Sequence, residues 1–376
     1  MIVPPAVDIY LFVLFSIAFI AQLWYYLGNF RVLAFYKKND GAKYSPPASI
    51  VICSKNELQN LKENLPSILT QNYPDYEVVV VNDCSFDGTD ELLKQFSKQY
   101  EHLKIVTIKE DEHYQHGKKF AQMVGIKGTK HEHLLFTDAD CKPMSNEWLK
   151  IMVSNFDNNT DIILGYGSYE KTKGWLNKLI RFDTFYIALQ YLSFALINKP
   201  YMGVGRNLAY KKSLFFKHKG FASHYHIDSG NDDLFVNEAA TKTNCKIEID
   251  PAAQTISKPK KSYSNWIKQK RRHITTGSHY NNSTKMQLGL LTFNQYLFFM
   301  LFAALVIINT KFIIYAVSIF VLRYFVQMLI FNKAMQKLGE KNLLFLAPLL
   351  ELELLLFYPV FLFANLFARK KNKWKS

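Results

Sequence analysis

The sequence predicts an α/β domain built on a doubly wound, mainly parallel sheet, with membrane-spanning helices before and after it. Two observations carry this prediction. Short apolar segments alternate with amphipathic ones between residues 48 and 137, and long apolar runs lie towards both ends of the chain. Alternating strands and helices with short connections are typical of a doubly wound sheet. A run of about 20 apolar residues is long enough to cross a bilayer as a helix.

The first apolar run, Val7–Leu27, predicts a retained N-terminal anchor. No basic residue precedes it and no small-x-small cleavage site follows it, which disfavours a signal peptide. Basic residues come only after the run, so we expect the chain to enter the cytosol at Arg31. Three more apolar runs lie near the C-terminus, at residues 288–308, 312–331 and 343–367.

Two features argue against a full crossing of the membrane by all three C-terminal runs. Three full crossings would place the basic tail, Arg369–Lys375, outside, against the tendency of basic flanks to stay in the cytosol. The last run also contains Glu351 and Glu353, and carboxylates at membrane depth usually face protein. We therefore expect a cytosolic tail, with one of the three runs re-entrant or interfacial.

The composition is consistent with a protein bound to a membrane. The net charge is +15 over 376 residues, and many basic residues flank apolar runs. Such residues contact anionic lipid. No nucleic-acid motif accompanies the charge, so membrane lipids are expected partners and nucleic acid is not.

These features divide the chain into an anchor at 1–30, a cytosolic domain at 45–285 and a membrane region at 286–376. In the cytosolic domain the pattern predicts strands at 48–53, 77–81, 103–108 and 133–137, with helices at 58–69, 89–100, 117–128 and 234–241. Residues 175–197 are expected in the core or on the membrane surface, and residues 266–273 at the membrane surface. In open α/β sheets, ligands bind at the carboxyl ends of the strands.

Acidic residues follow the predicted strands at the places where ligands bind. Asp138 and Asp140 come directly after a buried strand, where two carboxylates can face one Mg²⁺ or Mn²⁺ whose shell diphosphate oxygens complete. Asp232 and Asp233 are adjacent, and repulsion between them raises one pKa, as a general base requires. Asp83 ends another strand. Structural alternatives remain: residues 87–89 after Asp83 as a turn and helix cap, and Asp232–Asp233 as a helix cap, while an Asp-x-Asp pattern is common by chance.

In this arrangement the chain resembles glycosyltransferase family 2, whose nucleotide-sugar-binding fold is called GT-A. The resemblance extends to its membrane branch, which includes cellulose, chitin and hyaluronan synthases and ceramide glucosyltransferases, and it covers roughly Ser49 to His273. The motifs that carry it, in order, are IVICSKNE at 50–57, VND at 81–83 with DGT at 87–89, GK at 117–118, DAD at 138–140, GVGRNLAY at 203–210, DD at 232–233 and QKRR at 269–272.

On the donor side, the resemblance implies a nucleotide-sugar, expected to be a UDP-sugar, and a divalent metal. The implied contacts are Asn56, Glu57 and Asp83 near the base, Lys118 near the nucleotide, Asp138 at the nucleoside and the metal, and Asp140 at the metal.

For the acceptor and the chemistry, the resemblance implies a second set of residues. These are Gly203, Gly205, Arg206 and Asn207 on the acceptor side, Asp232 as general base with Asp233 beside it, and Gln269 and Arg272 over the diphosphate.

Two departures from the family pattern leave alternatives open. Asn231 stands where the family commonly has glutamate, so Asp233 remains an alternative base. His273 stands where the family has a tryptophan that stacks on an acceptor sugar. A lipid-linked acceptor and a polysaccharide both remain open, and the small number of C-terminal runs favours the lipid.

The sequence therefore predicts an inverting glycosyltransferase, because one base and no carboxylate nucleophile imply direct displacement. A nucleotidyltransferase would carry a Gly-rich basic loop after the first strand, where this chain has residues 54–57, SKNE. A non-catalytic adaptor would have lost acidic positions, and all three clusters are present.

Overall fold

The computed structural model describes residues 5–38, 44–109, 117–308 and 311–366. It divides into two compact units. Within the described residues, one unit is helical and comprises 5–37 and 281–359; the other is an α/β unit and comprises 38–280 together with 360–366.

The α/β unit is built on a seven-stranded sheet and a smaller three-stranded one. The ten strands are β1 (Ala48–Ser54), β2 (Tyr76–Asp83), β3 (Leu103–Ile108), β4 (His133–Asp138), β5 (Cys141–Pro143), β6 (Ile162–Leu164), β7 (Gly167–Tyr169), β8 (Leu208–Lys211), β9 (Cys245–Ile247) and β10 (Thr255–Ser257). The large sheet has the order β3-β2-β1-β4-β8-β6-β9, and the small one the order β5-β10-β7.

The helices of this unit are α3 (Leu58–Leu69), α4 (Thr89–Gln99), α5 (Lys118–Gly128), α6 (Trp148–Val153), α7 (Trp175–Leu196), α8 (Lys212–Lys217), α9 (Asp233–Ala239) and α10 (Tyr263–Gly277). Strands β1 and β2 are buried along almost their whole length, with apolar centres at residues 50–53 and 78–81, because protein covers both of their faces. The main core packs β1, β2 and β4 against α3 and α6, with Ile52, Leu65, Val80, Leu135 and Met152 fully buried.

The first four strands run parallel, as the sequence predicts, and the α/β fold with apolar helices at both ends is confirmed. The other half of the large sheet is mixed, because β8 runs antiparallel to both β4 and β6. The sequence did not predict this half. Strands β6 and β9 have three residues each, too few to show an alternating pattern.

Helix α7 belongs to the core, one of the two places that the sequence allowed for it. Phe182, Phe185, Leu189 and Leu192 on this helix are fully buried. In helix α10, which was expected at the membrane surface, Trp266 is only 1% exposed and packs against Phe361, while Lys268, Arg272 and His273 are exposed. Contact of this helix with a membrane stays a prediction.

The helical unit contains α1 (Pro5–Trp24), a π-helical stretch (Tyr25–Phe30), α2 (Arg31–Ala34), α11 (Asn282–Ile308), α12 (Ile313–Lys337) and α13 (Ala347–Leu366) up to Pro359. Phe15, Phe298 and Leu305 form part of a buried core between α1 and α11.

Four helical stretches of the described chain are long and apolar enough to cross a membrane: Val7–Ala34, Asn282–Ile308, Ile313–Lys337 and Leu344–Phe361. Which of them cross, and in which direction, stays a prediction. The tail Arg369–Lys375 lies outside the described residues.

Candidate active site

The carboxyl ends of three parallel strands meet at one edge of the large sheet. Cys53 at the end of β1 pairs with Asp138 of β4. Ser54 pairs with Asn82 of β2. The loops that follow these strands therefore leave the sheet side by side, and the predicted donor-side residues lie on them.

Hydrogen bonds join the loop after β1 to the loop after β2. Asn56 has a left-handed backbone, with φ of 54°. Its N–H donates to Ser85 Oγ at 2.9 Å, and its Oδ1 accepts from the Phe86 N–H at 3.0 Å. Asp87 accepts from the Leu58 N–H at 3.0 Å. Asp87 also accepts from the Thr89 N–H at 3.2 Å, so it caps the start of α4, the structural alternative that the sequence allowed, and it fixes the start of α3 as well.

The two acidic residues expected near the base lie on the same pair of loops. Asp83 is fully buried at the end of β2. Glu57 is also buried, and one of its carboxylate oxygens accepts a hydrogen bond from Asn60 Nδ2. The structure therefore brings Asn56, Glu57 and Asp83 to one corner of the sheet edge.

Asp138, Asp140 and Cys141 form a compact group just beyond β4. Their potential ligand atoms all lie within 4.8 Å of one another. Burial and the charge of Asp138 raise the pKa of Asp140. Burial also raises the pKa of the Cys141 thiol, which therefore stays protonated and is a poor ligand for a hard cation. Two close carboxylates that repel each other form a donor set suited to Mg²⁺ or Mn²⁺.

Lys118 interacts with Asp138 of this group and also with Asp232. It is the first residue of α5, and its Nζ donates to Asp138 Oδ1 at 2.5 Å. Burial opposes the ionised form of Asp138, yet Lys118, Arg206 and Arg272 together lower its pKa. Burial likewise opposes the charge of Lys118, but Asp138 and Asp232 raise its pKa. Lys118 therefore lies within electrostatic reach of both predicted carboxylates.

The next residue, Lys119, binds a different part of the site. Its buried Nζ donates to the main-chain oxygens of His224 and Ile227, at 2.5 and 2.9 Å. These residues belong to the loop that leads to Asp232. The first turn of α5 thus holds the Asp138 end of β4 with one lysine and the loop before Asp232 with the other.

Asp232 is half-buried and is fixed by the glycine-rich segment 203–207. The Gly205 N–H donates to Asp232 Oδ2 at 2.5 Å. A Cβ atom on Gly205 would lie only 3.0 Å from that same oxygen. A side chain at position 205 would therefore displace the carboxylate.

Asn207 holds this segment in place from below. It is fully buried; its Oδ1 accepts from Trp148 Nε1 at 3.0 Å, and its Nδ2 donates to the main-chain oxygens of Tyr166 and Ala253. Gly203 is buried as well, under Leu208 and Val236. The side chain of Asn207 is thus used within the protein.

Asp233 has a different environment from Asp232. It is buried, and it accepts hydrogen bonds from Thr276 Oγ1, from Tyr280 Oη at 2.9 Å and from the Leu234 N–H at 2.9 Å. Burial and the charge of Asp232 raise the pKa of Asp233 to about 6. These contacts attach Asp233 to the end of α10.

Helix α10 carries the predicted Gln269 and Arg272. Gln269 Nε2 donates to the hydroxyl of Tyr169 at 3.1 Å. Lys270 pairs with Asp183 of α7 at 2.5 Å, in a buried contact that fixes α10 against α7. Arg272 is exposed and close enough to Asp138 to lower its pKa. His273, at the place of the family's tryptophan, is exposed.

Sequence reasoning missed Tyr169, Lys119 and Asp183. Tyr169 lies on a three-residue strand, and Asp183 lies within an apolar helix that gives no sign of a partner 87 positions away. Lys119 carried a weak signal, since it follows the predicted Lys118 directly.

A family profile and several curated proteins match parts of this chain. The profile of the family described as Glycosyl transferase family 2 matches residues 49–221. Glycosyltransferase AglE of Haloferax volcanii is 38% identical over 129 residues, which are 34% of this chain and 40% of AglE. The probable glycosyltransferase YdaM of Bacillus subtilis is 23% identical over 261 residues, 65% of this chain and 60% of YdaM.

Among solved structures, a mannosyltransferase from Pyrobaculum calidifontis, in complex with GDP-Man and Mn²⁺, superposes with a TM-score of 0.57. At 19% identity, over 88% of this chain and 98% of that one, the likeness shows a shared fold. The chain spans less than two thirds of the length of the two curated relatives named above. Residues 49–221 of this chain therefore match glycosyltransferase family 2, as the sequence motifs predict.

Proposed function

We propose that this chain is a membrane-bound, inverting glycosyltransferase. It transfers a sugar from a nucleoside-diphosphate sugar to an acceptor at the cytosolic face of a membrane. One observation carries the proposal above the others: Asp138, Asp140, Lys118 and Asp232 come together at the carboxyl edge of one sheet. This set combines a metal-binding pair, a cation for phosphate and a base.

The donor would lie along the loops after β1, β2 and β4, where Asn56, Glu57 and Asp83 face the base. The P. calidifontis enzyme binds GDP-Man and Mn²⁺, which supports a nucleoside-diphosphate sugar and a divalent metal here. A UDP-sugar remains the expected donor, and a GDP-sugar is the alternative. Bound to Asp138 and Asp140, Mg²⁺ or Mn²⁺ would stabilise negative charge on the diphosphate.

Asp232 is the better candidate for the general base. Its Oδ2 accepts from Gly205, while its Oδ1 has no hydrogen bond within the described part of the chain. Asp233, by contrast, already accepts three hydrogen bonds from protein groups. A carboxylate that must take a proton needs an accessible oxygen, and Asp232 has one.

The reaction is then a single displacement. Asp232 takes the proton of the acceptor hydroxyl as its oxygen bonds to the anomeric carbon. The bond from that carbon to the diphosphate oxygen breaks, and its electron pair leaves with the nucleoside diphosphate. Lys118 and Arg272 stabilise the charge that develops there. Attack opposite the leaving group inverts the anomeric carbon.

The acceptor side is proposed from the segment 203–207 and from the membrane helices. Four stretches that are able to span a membrane support action at a membrane surface. They are few for a polymer channel of the protein's own, so a lipid-linked acceptor is preferred to a polysaccharide. The exposed His273 offers a smaller ring surface to a sugar than a tryptophan would.

The proposal is tested with the full chain purified in detergent. UDP-sugars and GDP-sugars are screened for transfer and hydrolysis with Mg²⁺ or Mn²⁺, and nucleotide binding is measured by calorimetry. Asp232→Asn should lower the rate about 10²- to 10⁴-fold and leave donor binding intact. Asp140→Ala should abolish metal-dependent nucleotide binding while the protein stays folded.

Controls separate the two aspartates and the rest of the surface. Asp233→Asn should do less harm than Asp232→Asn, and Asp157→Asn, in an exposed pair with Lys246, should change nothing. An inactive Asp233→Asn beside an active Asp232→Asn would assign the base to Asp233. Near-normal transfer by both would leave this cluster as a helix cap and overturn the catalytic assignment.

A further inference from the structure

Arg206 has an unusual position next to the proposed metal site. Its main-chain oxygen accepts hydrogen bonds from Thr137 Oγ1 and Thr255 Oγ1, both at 3.0 Å. Thr137 directly precedes Asp138 on β4. The backbone at Arg206 is therefore fixed to the strand whose end carries the metal-binding pair.

Strand β7 supports the side chain of Arg206. The guanidinium carbon lies 4.5 Å from the centre of the Tyr169 ring. At Gly167, two residues earlier on the same strand, a Cβ atom would lie 3.0 Å from Arg206 Cβ and 3.4 Å from its Nε. Residues two apart on a strand face the same side. A glycine and an aromatic ring thus form a surface along which the arginine lies.

The guanidinium has donors that the described residues do not use. Arginine carries five N–H donors. Among the described residues, Arg206 makes one side-chain hydrogen bond, a long one of 3.4 Å from Nη1 to Ser257 Oγ. It is near enough to help lower the pKa of Asp138 and to oppose the rise in that of Asp140, yet it forms no ion pair within 4.0 Å with any described residue. A rigid, partly desolvated cation with unused donors is suited to bind phosphate oxygens.

We propose that Arg206 binds the diphosphate of the sugar donor and stabilises its charge as it leaves, with Tyr169 as the residue that positions the guanidinium. This inference rests on the proposed function. It places Arg206 on the donor side, whereas the resemblance to the family implied the acceptor side. When the anomeric carbon bonds to the acceptor oxygen, the electron pair of the broken bond passes to the diphosphate oxygen that Arg206 faces.

The test is calorimetric titration of the full chain in detergent with UDP and with GDP, in the presence of Mn²⁺. Arg206→Ala should weaken binding of the diphosphate that the wild type prefers by about 10- to 100-fold, the range for hydrogen bonds to charged groups. Arg206→Lys should retain part of the affinity, because it keeps the charge without the planar fork.

Two further positions test the geometry without removing the arginine. Tyr169→Phe keeps the ring under the guanidinium but removes the hydroxyl that Gln269 contacts, so it should weaken diphosphate binding less than Tyr169→Ala, which should approach Arg206→Ala. Gly167→Ala should also weaken binding, because the added methyl group meets Arg206. Gly277→Ala, where an added Cβ meets no atom within 4 Å, is the matched control and should leave binding unchanged.

The outcomes separate this inference from the proposed function. If the wild type binds neither UDP nor GDP, both the proposed function and the role of Arg206 are wrong. If the wild type binds a diphosphate and Arg206→Ala binds it with the same affinity, only the role of Arg206 is wrong. A raised KM for the acceptor in Arg206→Ala would then place Arg206 on the acceptor side. If Arg206→Ala does not fold, unchanged affinity in both Gly167→Ala and Arg206→Lys would refute the inference instead.

Discussion

Replacing Glu351 with glutamine should destabilise the helical unit, because it removes the buried ion pair between Glu351 and Arg323. Arg323 of α12 is fully buried, and its Nη1 and Nη2 donate to the two carboxylate oxygens of Glu351 at 2.9 and 2.6 Å. Its other donors bind Gln22 at 2.7 Å, Gln327 at 2.6 Å and Tyr26 at 2.9 Å. The guanidinium is thus satisfied on every side, and Glu351 supplies the only opposite charge among these partners.

The expected magnitude follows from that environment. Glutamine keeps the size of the side chain, but it leaves the guanidinium without a counter-ion and turns an amide NH₂ towards its donors. Breaking a buried pair from one side costs about 3–5 kcal/mol. This is a large part of the 5–15 kcal/mol that typically separates folded from unfolded protein. As a control, Gln336→Ala on α12, in an exposed pair with Asn332, should change stability by less than about 0.5 kcal/mol.

The assay is equilibrium unfolding of the full chain in mixed detergent and SDS micelles, followed by circular dichroism. The double variant Arg323→Gln/Glu351→Gln should be more stable than the sum of the two single losses predicts, because it leaves no unpaired charge. If Glu351→Gln lowers the free energy of unfolding by less than about 1 kcal/mol, the reasoning is refuted. It is also refuted if the loss in the double variant equals the sum of the losses in the two single variants.

Two other predictions concern topology and pH. In a chain without its native cysteines, Asp40→Cys and Asn372→Cys should both resist an impermeant reagent outside intact cells, since basic residues flank both positions; labelling of position 372 alone would show that all three C-terminal runs cross. Burial and the charge of Lys119 lower the pKa of His224 to about 4; His226 and His279 also lower it, and Glu238 opposes them. In the unfolded chain a histidine has a pKa near 6.5. The stability of the α/β unit should therefore fall as the pH drops from about 6.5 to about 4, and His224→Asn should flatten that part of the urea-unfolding curve against pH; an unchanged slope would contradict this account.

The sequence was most informative where a local pattern is long enough to be read. Helix Leu58–Leu69 and strand Leu103–Ile108 have the predicted bounds. In the helix, Leu61, Leu65, Ile68 and Leu69 are buried, which is the helical period that the sequence shows. Asp138 and Asp140 could be predicted to lie close together at a strand end, because a buried strand precedes them. The mixed half of the sheet could not, since its short strands owe their structure to neighbours distant in sequence.

The same limit applies to single residues. The sequence marked Glu351 as a costly carboxylate in an apolar run, but nothing in it identifies Arg323 as the partner. Tyr169 and Gln269 lie 100 positions apart and meet only because a small sheet and α10 meet. Contacts of this kind depend on tertiary packing, which the local pattern of apolar and polar residues does not predict.

The adjacent lysines at the start of α5 have a consequence for how this protein can evolve. Lys118 reaches the carboxylate end of β4, and Lys119 reaches the loop before Asp232. One helical turn carries both contacts. A substitution that moves this turn to fit a new donor should therefore also move the loop before Asp232, the proposed base for the acceptor. Changes of donor and of acceptor preference should therefore be epistatic at these two positions, and a lineage that acquires a new sugar would have to readjust the loop at residues 222–232 in the same steps.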